Sequence, residues 1–226
     1  MSLTLGNDRR FETVLFDLDG TLTDSKPGIT RCVQFALAEF GIVVDDADEL
    51  TPFVGPPLAE SFRRYYGFDA GQSRQAIAIY RERFATVGLF ENAVYPGVPE
   101  MLERLRLAGA RLAIASSKPT IFVERILEHF GLAPYFAAVA GSNLDHTRVA
   151  KDEVIAHALS TLPPVDTRRA VMVGDREHDI LGARVHGIGT ISAGYGYGTP
   201  EELRAAAPLA IADSVEELTD LLLATG

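Results

Sequence analysis

The sequence has 226 residues, 47% of them hydrophobic, which is enough for one large domain or for a domain with a smaller insertion. Its net charge of −10 at pH 7 argues against nucleic acid and anionic membrane surfaces as partners. Cys32 is the only cysteine, so no internal disulfide can form. Residues 1–10 lack the apolar stretch of a signal peptide, and no apolar run reaches membrane-spanning length. We therefore expect a cytoplasmic protein.

The first predicted element is a short strand over residues 14–16, whose unbroken apolar side chains are typical of a strand buried on both faces. Asp17 and Asp19 follow it directly, and then comes Gly20, a turn former. Open α/β sheets bind ligands at the carboxyl ends of their strands, so this position favours a functional site. We expect the two side chains to point in different directions, so that one carboxylate can bind a cation while the other faces a substrate. The alternative is a solvated Asp-Gly turn.

Residues 24–93 show helical patterns and no convincing strand. Gly41 and Gly67 each follow an amphipathic stretch, where they are typical helix terminators. The Gly55-Pro56-Pro57 segment predicts a loop that either reaches a functional site or only connects two helices. We expect helices over residues 29–40, 58–66 and 73–87, and a loop over residues 50–57.

After Tyr95 the predicted helices and strands alternate, which is typical of a parallel sheet with helices on both faces. The expected fold is therefore an α/β core over residues 1–23 and 94–226, split by an all-helical insertion over residues 24–93. We expect helices over residues 98–108, 120–130, 152–160, 179–186, 201–206 and 215–223, and strands over residues 111–115, 137–140, 170–173, 189–192 and 209–211.

Polar residues also follow the predicted strand at 111–115. Ser116 and Ser117 come directly after it, and Pro119 suits the first turn of the next helix. Hydroxyl groups beside outward-pointing amides at a helix N-terminus form a place for an anion. A serine that only caps the helix would explain the same pattern.

A second group of carboxylates, Asp175 and Asp179, follows the predicted strand at 170–173. Helix capping explains Asp179 but not easily Asp175 as well. Lys151 opens a predicted helix, where its charge is unfavourable with the helix dipole, so either it has another function or it is a solvated surface lysine. Clustered carboxylates suit a hard cation such as Mg²⁺, and a lysine with a serine suits a phosphoryl group.

These residues resemble the motifs of the haloacid dehalogenase superfamily of aspartyl phosphatases, in order and almost from end to end. The matches are Asp17-Leu18-Asp19-Gly20-Thr21-Leu22, Ser116 after an apolar strand, Lys151, and Gly174-Asp175 with Asp179. The helical insertion resembles the small C1-type cap of the phosphoglycolate phosphatase branch and its 5′-nucleotidase-like members. The resemblance implies a Rossmann-like core for the α/β part.

The resemblance also implies roles for the two aspartates of the first motif. Asp17 would be the nucleophile that forms an aspartyl-phosphate, and Asp19 the general acid that protonates the leaving group and then activates water. Mg²⁺ would be bound by the Asp17 side chain, the Asp19 backbone carbonyl and Asp175, with Asp179 in contact with the metal or just behind it. Ser116 and the Ser117 amide would bind phosphoryl oxygens, and Lys151 would neutralise charge shared by the phosphate and Asp17.

The substrate implied by the resemblance is a small phosphate monoester, with phosphoglycolate first and a 5′-mononucleotide second. A sugar-phosphate mutase and a catalytically idle binding module are the remaining alternatives, and nothing in the sequence indicates an oligomeric state. We expect the cap to choose the substrate through the loop at Gly55 and Pro56. The candidate cap contacts are Arg63 and Arg64 for a carboxylate, and Phe53, Tyr65 and Tyr66 for a base.

Overall fold

A computed structural model describes residues 11–145 and 147–224, which form two compact units. The α/β unit contains the described chain up to Leu22 and from Val94 onward, and the helical unit is Thr23–Ala93. The prediction that residues 1–10 carry no signal peptide lies outside the described residues. None of the helices in the described ranges has the length and apolar composition needed to cross a membrane.

The α/β unit is a parallel sheet with helices on its faces, as the sequence predicted. Its sheet strands are β1 (Thr13–Phe16), β4 (Arg111–Pro119), β5 (Phe136–Ser142), β6 (Ala170–Gly174), β7 (Gly189–Ala193) and β8 (Ala210–Ala212). Its helices are α4 (Val98–Leu107), α5 (Thr120–His129), α6 (Lys151–Thr161), α7 (Glu177–Val185), α8 (Pro200–Ala206) and α9 (Val215–Leu223). Within the described chain the strand order is β5-β4-β1-β6-β7-β8, and all neighbours are parallel.

The strand β1 lies in the middle of this sheet, and its apolar residues 14–16 are fully buried. Phe16 is in register with Ile114 of β4 on one side and with Val173 of β6 on the other. A strand covered on both faces has no solvent-facing positions, which explains its continuous apolar run. Leu15 belongs to a core cluster that includes Met172 of β6.

The sheet changes direction beside β1. The chain passes from β1 to β4 and β5 on one side, then returns to place β6 on the other side of β1, with β7 and β8 beyond it. Such a reversal opens a crevice at the carboxyl ends of the strands on either side of it. Asp17 follows β1 and Asp175 follows β6, so the fold brings the two predicted carboxylate groups to this crevice.

The helical unit contains α1 (Lys26–Ala38), α2 (Leu58–Tyr66) and α3 (Ala70–Thr86). Its core holds Phe62, which stacks on Phe68 with ring centroids 5.6 Å apart and meets Phe53 edge-on at 5.1 Å. Helix α2 ends at Gly67, whose φ of +66° is the left-handed conformation that glycine adopts at little cost. Short strands β2 (Thr23–Asp24) and β3 (Ala93–Val94) pair at the two ends of the insertion.

Several boundaries differ from those expected. The expected loop at residues 50–57 begins inside a 3₁₀ helix, Ala47–Phe53, and β2 and β3 were not predicted because two-residue strands have no periodicity to detect. Helix α3 starts at Ala70 rather than at residue 73, because Asp69 and Gln72 form a reciprocal capping box that extends it. Pro119 ends β4 as the residue before α5, whereas we expected it in the first turn of the helix.

The buried position of Leu15 gives a stability prediction. Leu15→Ala removes a side chain with 0% exposure from the centre of the sheet and should lower the free energy of unfolding by about 2–5 kcal/mol. Leu107→Ala is the control, because Leu107 is 72% exposed, and its effect should stay within about 0.5 kcal/mol. Urea unfolding of both variants measures this, and equal losses would contradict the central position of β1.

Candidate active site

The site begins where β1 ends. The Asp17 amide donates to the carbonyl of Val173 at 2.8 Å, which continues the pairing of β1 with β6 by one residue. Both Asp17 and Asp19 are buried, although ionisable groups rarely are unless they are paired. Gly20 follows with a φ of +79°, and a Cβ there would lie 2.2 Å from Oδ2 of Asp175. The turn therefore requires glycine both for its conformation and for its contact with the second carboxylate group.

The carboxylates of Asp17 and Asp19 contact different lysines. Nζ of Lys151 lies 3.1 Å from Oδ1 of Asp17, and Nζ of Lys118 lies 2.6 Å from Oδ1 of Asp19. The two carboxylates thus face different partners, as expected, but strand alternation is not the reason, because residues two positions apart in an extended chain share one face. The strand β1 ends at Phe16, and the chain turns through Asp19 and Gly20. The sequence indicated Lys151 but gave no role to Lys118.

Lys151, the first residue of α6, is buried. Besides Asp17, its Nζ contacts Oδ1 of Asp179 at 2.7 Å and donates to the carbonyl of Ala115 at 3.1 Å. Burial lowers the pKa of Lys151, but the opposing charges of Asp17 and Asp179 outweigh it and hold the pKa above its usual value. The alternative of a solvated surface lysine is therefore wrong. A Cβ at Gly182 of α7 would lie 2.9 Å from the lysine stem, so a small residue there lets the two elements approach.

Asp175 and Asp179 follow β6, and both are almost completely inaccessible to solvent. Asp175 accepts a hydrogen bond on Oδ2 from the amide of Tyr197 at 2.8 Å, and Asp179 accepts one on Oδ2 from the amide of Arg176 at 3.1 Å. Burial, and after it the charges of Asp179 and Asp17, raise the pKa of Asp175 well above its usual value. Burial also raises the pKa of Asp179, and the charge of Lys151 offsets this only in part.

The side chains of Asp17, Asp175 and Asp179 form a cluster that fits a divalent cation. Each can offer one carboxylate oxygen, and the three oxygens lie within 4.8 Å of one another, the only such group found in the described residues. The Oδ1 atoms of all three residues are buried; those of Asp17 and Asp179 contact Nζ of Lys151, and that of Asp175 has no hydrogen-bond partner in the described chain. A buried carboxylate oxygen without a hydrogen to accept is costly, and so are three carboxylates beside one lysine. A hard cation such as Mg²⁺ compensates both costs.

Ser116 and Ser117 lie at the end of β4, directly before α5, as expected. Ser116 is buried, and its Oγ accepts a hydrogen bond from the amide of Lys118 at 3.3 Å. This bond lies within the end of β4, whereas the N-cap residue of α5 is Pro119 and receives no side-chain cap, so the alternative of a helix-capping serine is wrong. Ser116 still lies close to the N-terminus of α5, where an anion would bind.

A loop that the sequence did not indicate supports Asp175. Residues 194–198 read Gly-Tyr-Gly-Tyr-Gly after β7. A Cβ at Gly196 would lie 2.4 Å from the Asp175 Cβ, and one at Gly198 would lie 2.0 Å from the Asp175 carbonyl oxygen. The loop can pack against Asp175 only because these positions lack side chains. Alternating glycines after a strand at the carboxyl edge of the sheet were the available signal.

The cap candidates belong to the helical unit. Arg63 and Arg64 are exposed on α2, and Gly55 is exposed with a φ of +100°, while Pro56 is half-buried. The guanidinium of Arg64 lies 5.6 Å from the ring centroid of Tyr65, which is exposed, whereas Phe53 is buried in the core of the unit. Phe53 thus serves packing. Contacts of the other cap candidates with a substrate remain predictions.

The sequence profile of the haloacid dehalogenase-like hydrolases matches residues 14–193. That span covers most of the α/β unit and the whole helical unit. The chain therefore belongs to this family, as its motifs indicated.

Individual relatives show which kinds of enzyme within this family the chain resembles. A 5′-nucleotidase of Pseudomonas aeruginosa is 48% identical over 88% of this chain and 90% of its own length. A tyrosine-protein kinase of Mycobacterium tuberculosis, PtkA, is 41% identical over 93% of this chain and 72% of its own length. A phosphoglycolate phosphatase of Vibrio parahaemolyticus is 30% identical over 92% of this chain and 95% of its own.

A crystal structure described as a predicted phosphatase from Clostridium acetobutylicum has a TM-score of 0.91 and 46% identity, and the match covers 94% of this chain and 98% of that one. Together with the family match, these similarities identify the chain as a phosphatase of the haloacid dehalogenase-like hydrolase family.

The three-carboxylate cluster gives a prediction for the metal-free protein. Asp175→Asn removes one of three crowded charges and keeps an oxygen to accept from Tyr197. The raised pKa of Asp175 means that its ionised form destabilises the fold. The variant should therefore have a higher melting temperature than the wild type in chelator at pH 7. Each kcal/mol gained in the free energy of unfolding should raise the melting temperature by about 2–4 °C.

Added Mg²⁺ should raise the melting temperature of the wild type and not that of Asp175→Asn, because only a cation that binds the folded state stabilises it. The matched control is Asp213→Asn, an exposed aspartate of the same unit, which should keep the full response to Mg²⁺. An undiminished Mg²⁺ response in Asp175→Asn would contradict a metal site at this cluster.

Proposed function

We propose that the protein is a Mg²⁺-dependent phosphatase that cleaves small phosphate monoesters through an aspartyl-phosphate on Asp17. The observation that carries this proposal is the separation of the first two carboxylates. Asp17 lies in the buried cluster with Asp175, Asp179 and Lys151, while Asp19 contacts another lysine. Two carboxylates in different surroundings can have different chemical roles.

The metal would be held by Asp17, Asp175 and the Asp19 carbonyl, with Asp179 as a ligand or as a contact behind the ligands. Bound there, Mg²⁺ would supply a positive charge that orients the phosphoryl group and stabilises the transition state. Asp179 also contacts Lys151 and the amide of Arg176, so it orients its neighbours whether or not it binds the metal.

In the first step an Asp17 oxygen attacks phosphorus, a new O–P bond forms, and the ester O–P bond breaks on the opposite side. Asp19 donates its proton to the departing oxygen, which leaves as an alcohol. In the second step the Asp19 carboxylate removes a proton from water, the water oxygen attacks phosphorus, and the bond to Asp17 breaks to release inorganic phosphate. Asp19 ends protonated and Asp17 ionised, as at the start.

Phosphate binding would fall to the cationic and hydrogen-bonding groups around Asp17. Lys151, fixed by three oxygen contacts, would neutralise charge shared by Asp17 and the phosphoryl group. The Ser116 hydroxyl and the Ser117 amide would hold phosphoryl oxygens at the N-terminus of α5. Water exclusion and substrate choice would fall to the helical unit acting as a cap.

For the substrate we propose a 5′-mononucleotide ahead of phosphoglycolate, which reverses the order expected from the sequence. The reason is the higher identity to the 5′-nucleotidase, 48% against 30% for the phosphoglycolate phosphatase. The exposed ring of Tyr65, with the Arg64 guanidinium 5.6 Å from its centroid, also offers the kind of surface on which a base stacks.

The similarity to PtkA favours one alternative, phosphoryl transfer to a protein tyrosine. The two activities differ in the fate of the phosphoryl group, because a phosphatase releases it as inorganic phosphate and a kinase transfers it from a nucleoside triphosphate. Measuring released phosphate and protein-bound phosphate in the same reaction separates them.

Replacing the two carboxylates tests the assigned roles. Asp17→Asn should abolish turnover, because an amide is a poor nucleophile and a poor metal ligand. Asp19→Asn should lower kcat/KM for an alkyl phosphate by about 10²–10⁴-fold, the usual contribution of a general acid. Asp213→Asn again serves as the control, and near-normal alkyl phosphate hydrolysis by either active-site variant would refute the roles.

The substrate proposal is tested on the cap. Tyr65→Ala should lower kcat/KM for a 5′-mononucleotide by about tenfold or more, since stacking on an aromatic ring contributes about 1–3 kcal/mol per base. It should leave phosphoglycolate hydrolysis unchanged, and so should Phe35→Ala, an exposed aromatic of the same unit, for both substrates.

If Arg63→Ala or Arg64→Ala instead lowers kcat/KM for phosphoglycolate alone, the carboxylate-binding alternative is correct and the nucleotide proposal fails.

A further inference from the structure

We infer that Lys118 is a positioning residue for Asp19, so that the active site uses two lysines with separate tasks. The inference rests on the proposed function, because it concerns the step in which Asp19 delivers a proton. Neither the family motifs found in the sequence nor the mechanism above gives Lys118 a role.

The contact between the two residues is short and largely shielded from water. Nζ of Lys118 lies 2.6 Å from Oδ1 of Asp19, and the two side chains are 7% and 10% exposed. An exposed ion pair between a lysine and a carboxylate contributes little to stability, because the long lysine side chain loses conformational freedom and solvent screens the charges. Here burial removes most of that screening, so the ion pair can fix the position of the carboxylate.

The backbone around Lys118 departs from regular strand pairing. The pairing of β4 with β5 is irregular between Ala115 and Pro119, and the amide of Lys118 donates to the Ser116 hydroxyl at 3.3 Å within that irregularity. Lys118 lies within this irregular stretch, and its Nζ reaches Asp19, 99 positions away in the sequence.

The second lysine contacts a different set of groups. Lys151 contacts Asp17, Asp179 and the carbonyl of Ala115. It is therefore placed to act on the nucleophile and the phosphoryl group, whereas Lys118 is placed to act on the acid. The contact from Lys118 is to Oδ1 of Asp19, so the proton that Asp19 delivers would be carried on Oδ2 while Lys118 holds Oδ1.

The expected consequence depends on the leaving group. A proton donor must lie within hydrogen-bonding reach, about 2.6–3.2 Å, of the atom that receives the proton. An alkoxide leaving group needs that proton, whereas p-nitrophenolate is stable enough to leave without it. Loss of Asp19 positioning should therefore slow the hydrolysis of alkyl esters far more than that of p-nitrophenyl phosphate.

The experiment compares kcat/KM for an alkyl phosphate and for p-nitrophenyl phosphate, because this parameter reports the steps up to departure of the leaving group. Lys118→Met removes the charge and keeps the length of the side chain. It should lower kcat/KM for the alkyl phosphate by about tenfold or more, which is a fraction of what a general acid contributes. It should leave kcat/KM for p-nitrophenyl phosphate within about threefold of the wild-type value. Lys118→Arg, which restores a cation, should recover part of the alkyl activity.

A double-mutant cycle tests whether Lys118 acts through Asp19. In the Asp19→Asn background, Lys118→Met should cause no further loss with the alkyl ester, since residues that act as one unit are not additive. The control is Arg106→Met, which removes an exposed ion pair with Glu103 in the same unit and should change neither substrate.

Equal losses for both esters in Lys118→Met, or additive losses in the cycle, would show a general structural or phosphate-binding role and overturn the inference. Active p-nitrophenyl phosphate hydrolysis by Lys118→Met demonstrates a folded enzyme, so misfolding cannot mimic the expected result. If the wild type hydrolyses neither ester, or if Asp17→Asn stays active, then the proposed function itself fails.

Discussion

The site depends on the burial of three carboxylates of like charge next to one lysine. Asp17, Asp175 and Asp179 repel one another in a medium that screens poorly, and Lys151 supplies one positive charge against their three. Burial raises the pKa of Asp175 and of Asp179, and the negative charge of Asp17 raises both further. Such a cluster is unfavourable for stability by itself, and a ligand that brings positive charge, such as the proposed Mg²⁺, would offset that cost.

The parts of the site that follow apolar strands could be predicted from the sequence. The run at Val14–Phe16 indicated a buried strand, and a buried parallel strand delivers the next residues to the carboxyl edge of the sheet, where Asp17 lies in the structure. Asp175 after β6 was predicted in the same way. These predictions succeeded because sheet topology and not side-chain detail determines where the end of a central strand lies.

Contacts that depend on irregular backbone could not be predicted. Lys118 contacts Asp19 from a stretch of β4 where the register with β5 shifts, and strand periodicity gives no sign of such a shift. The support of Asp175 by the amide of Tyr197 depends on a loop packed at a distance that only glycines allow. In the helical unit, the capping box at Asp69 moved the start of α3, because a local side-chain contact decided the boundary and hydrophobic periodicity did not.

The glycines around Asp175 limit how this enzyme can change. Gly20, Gly196 and Gly198 each contact that residue at a distance that leaves no room for a methyl group. A new side chain at any of them would displace the carboxylate or the backbone of Asp175, so none can serve as a place from which to recognise a different ester. New substrate ranges in a chain built this way have to arise on surfaces that carry no such restriction. The chemistry can then stay the same while the preferred alcohol changes.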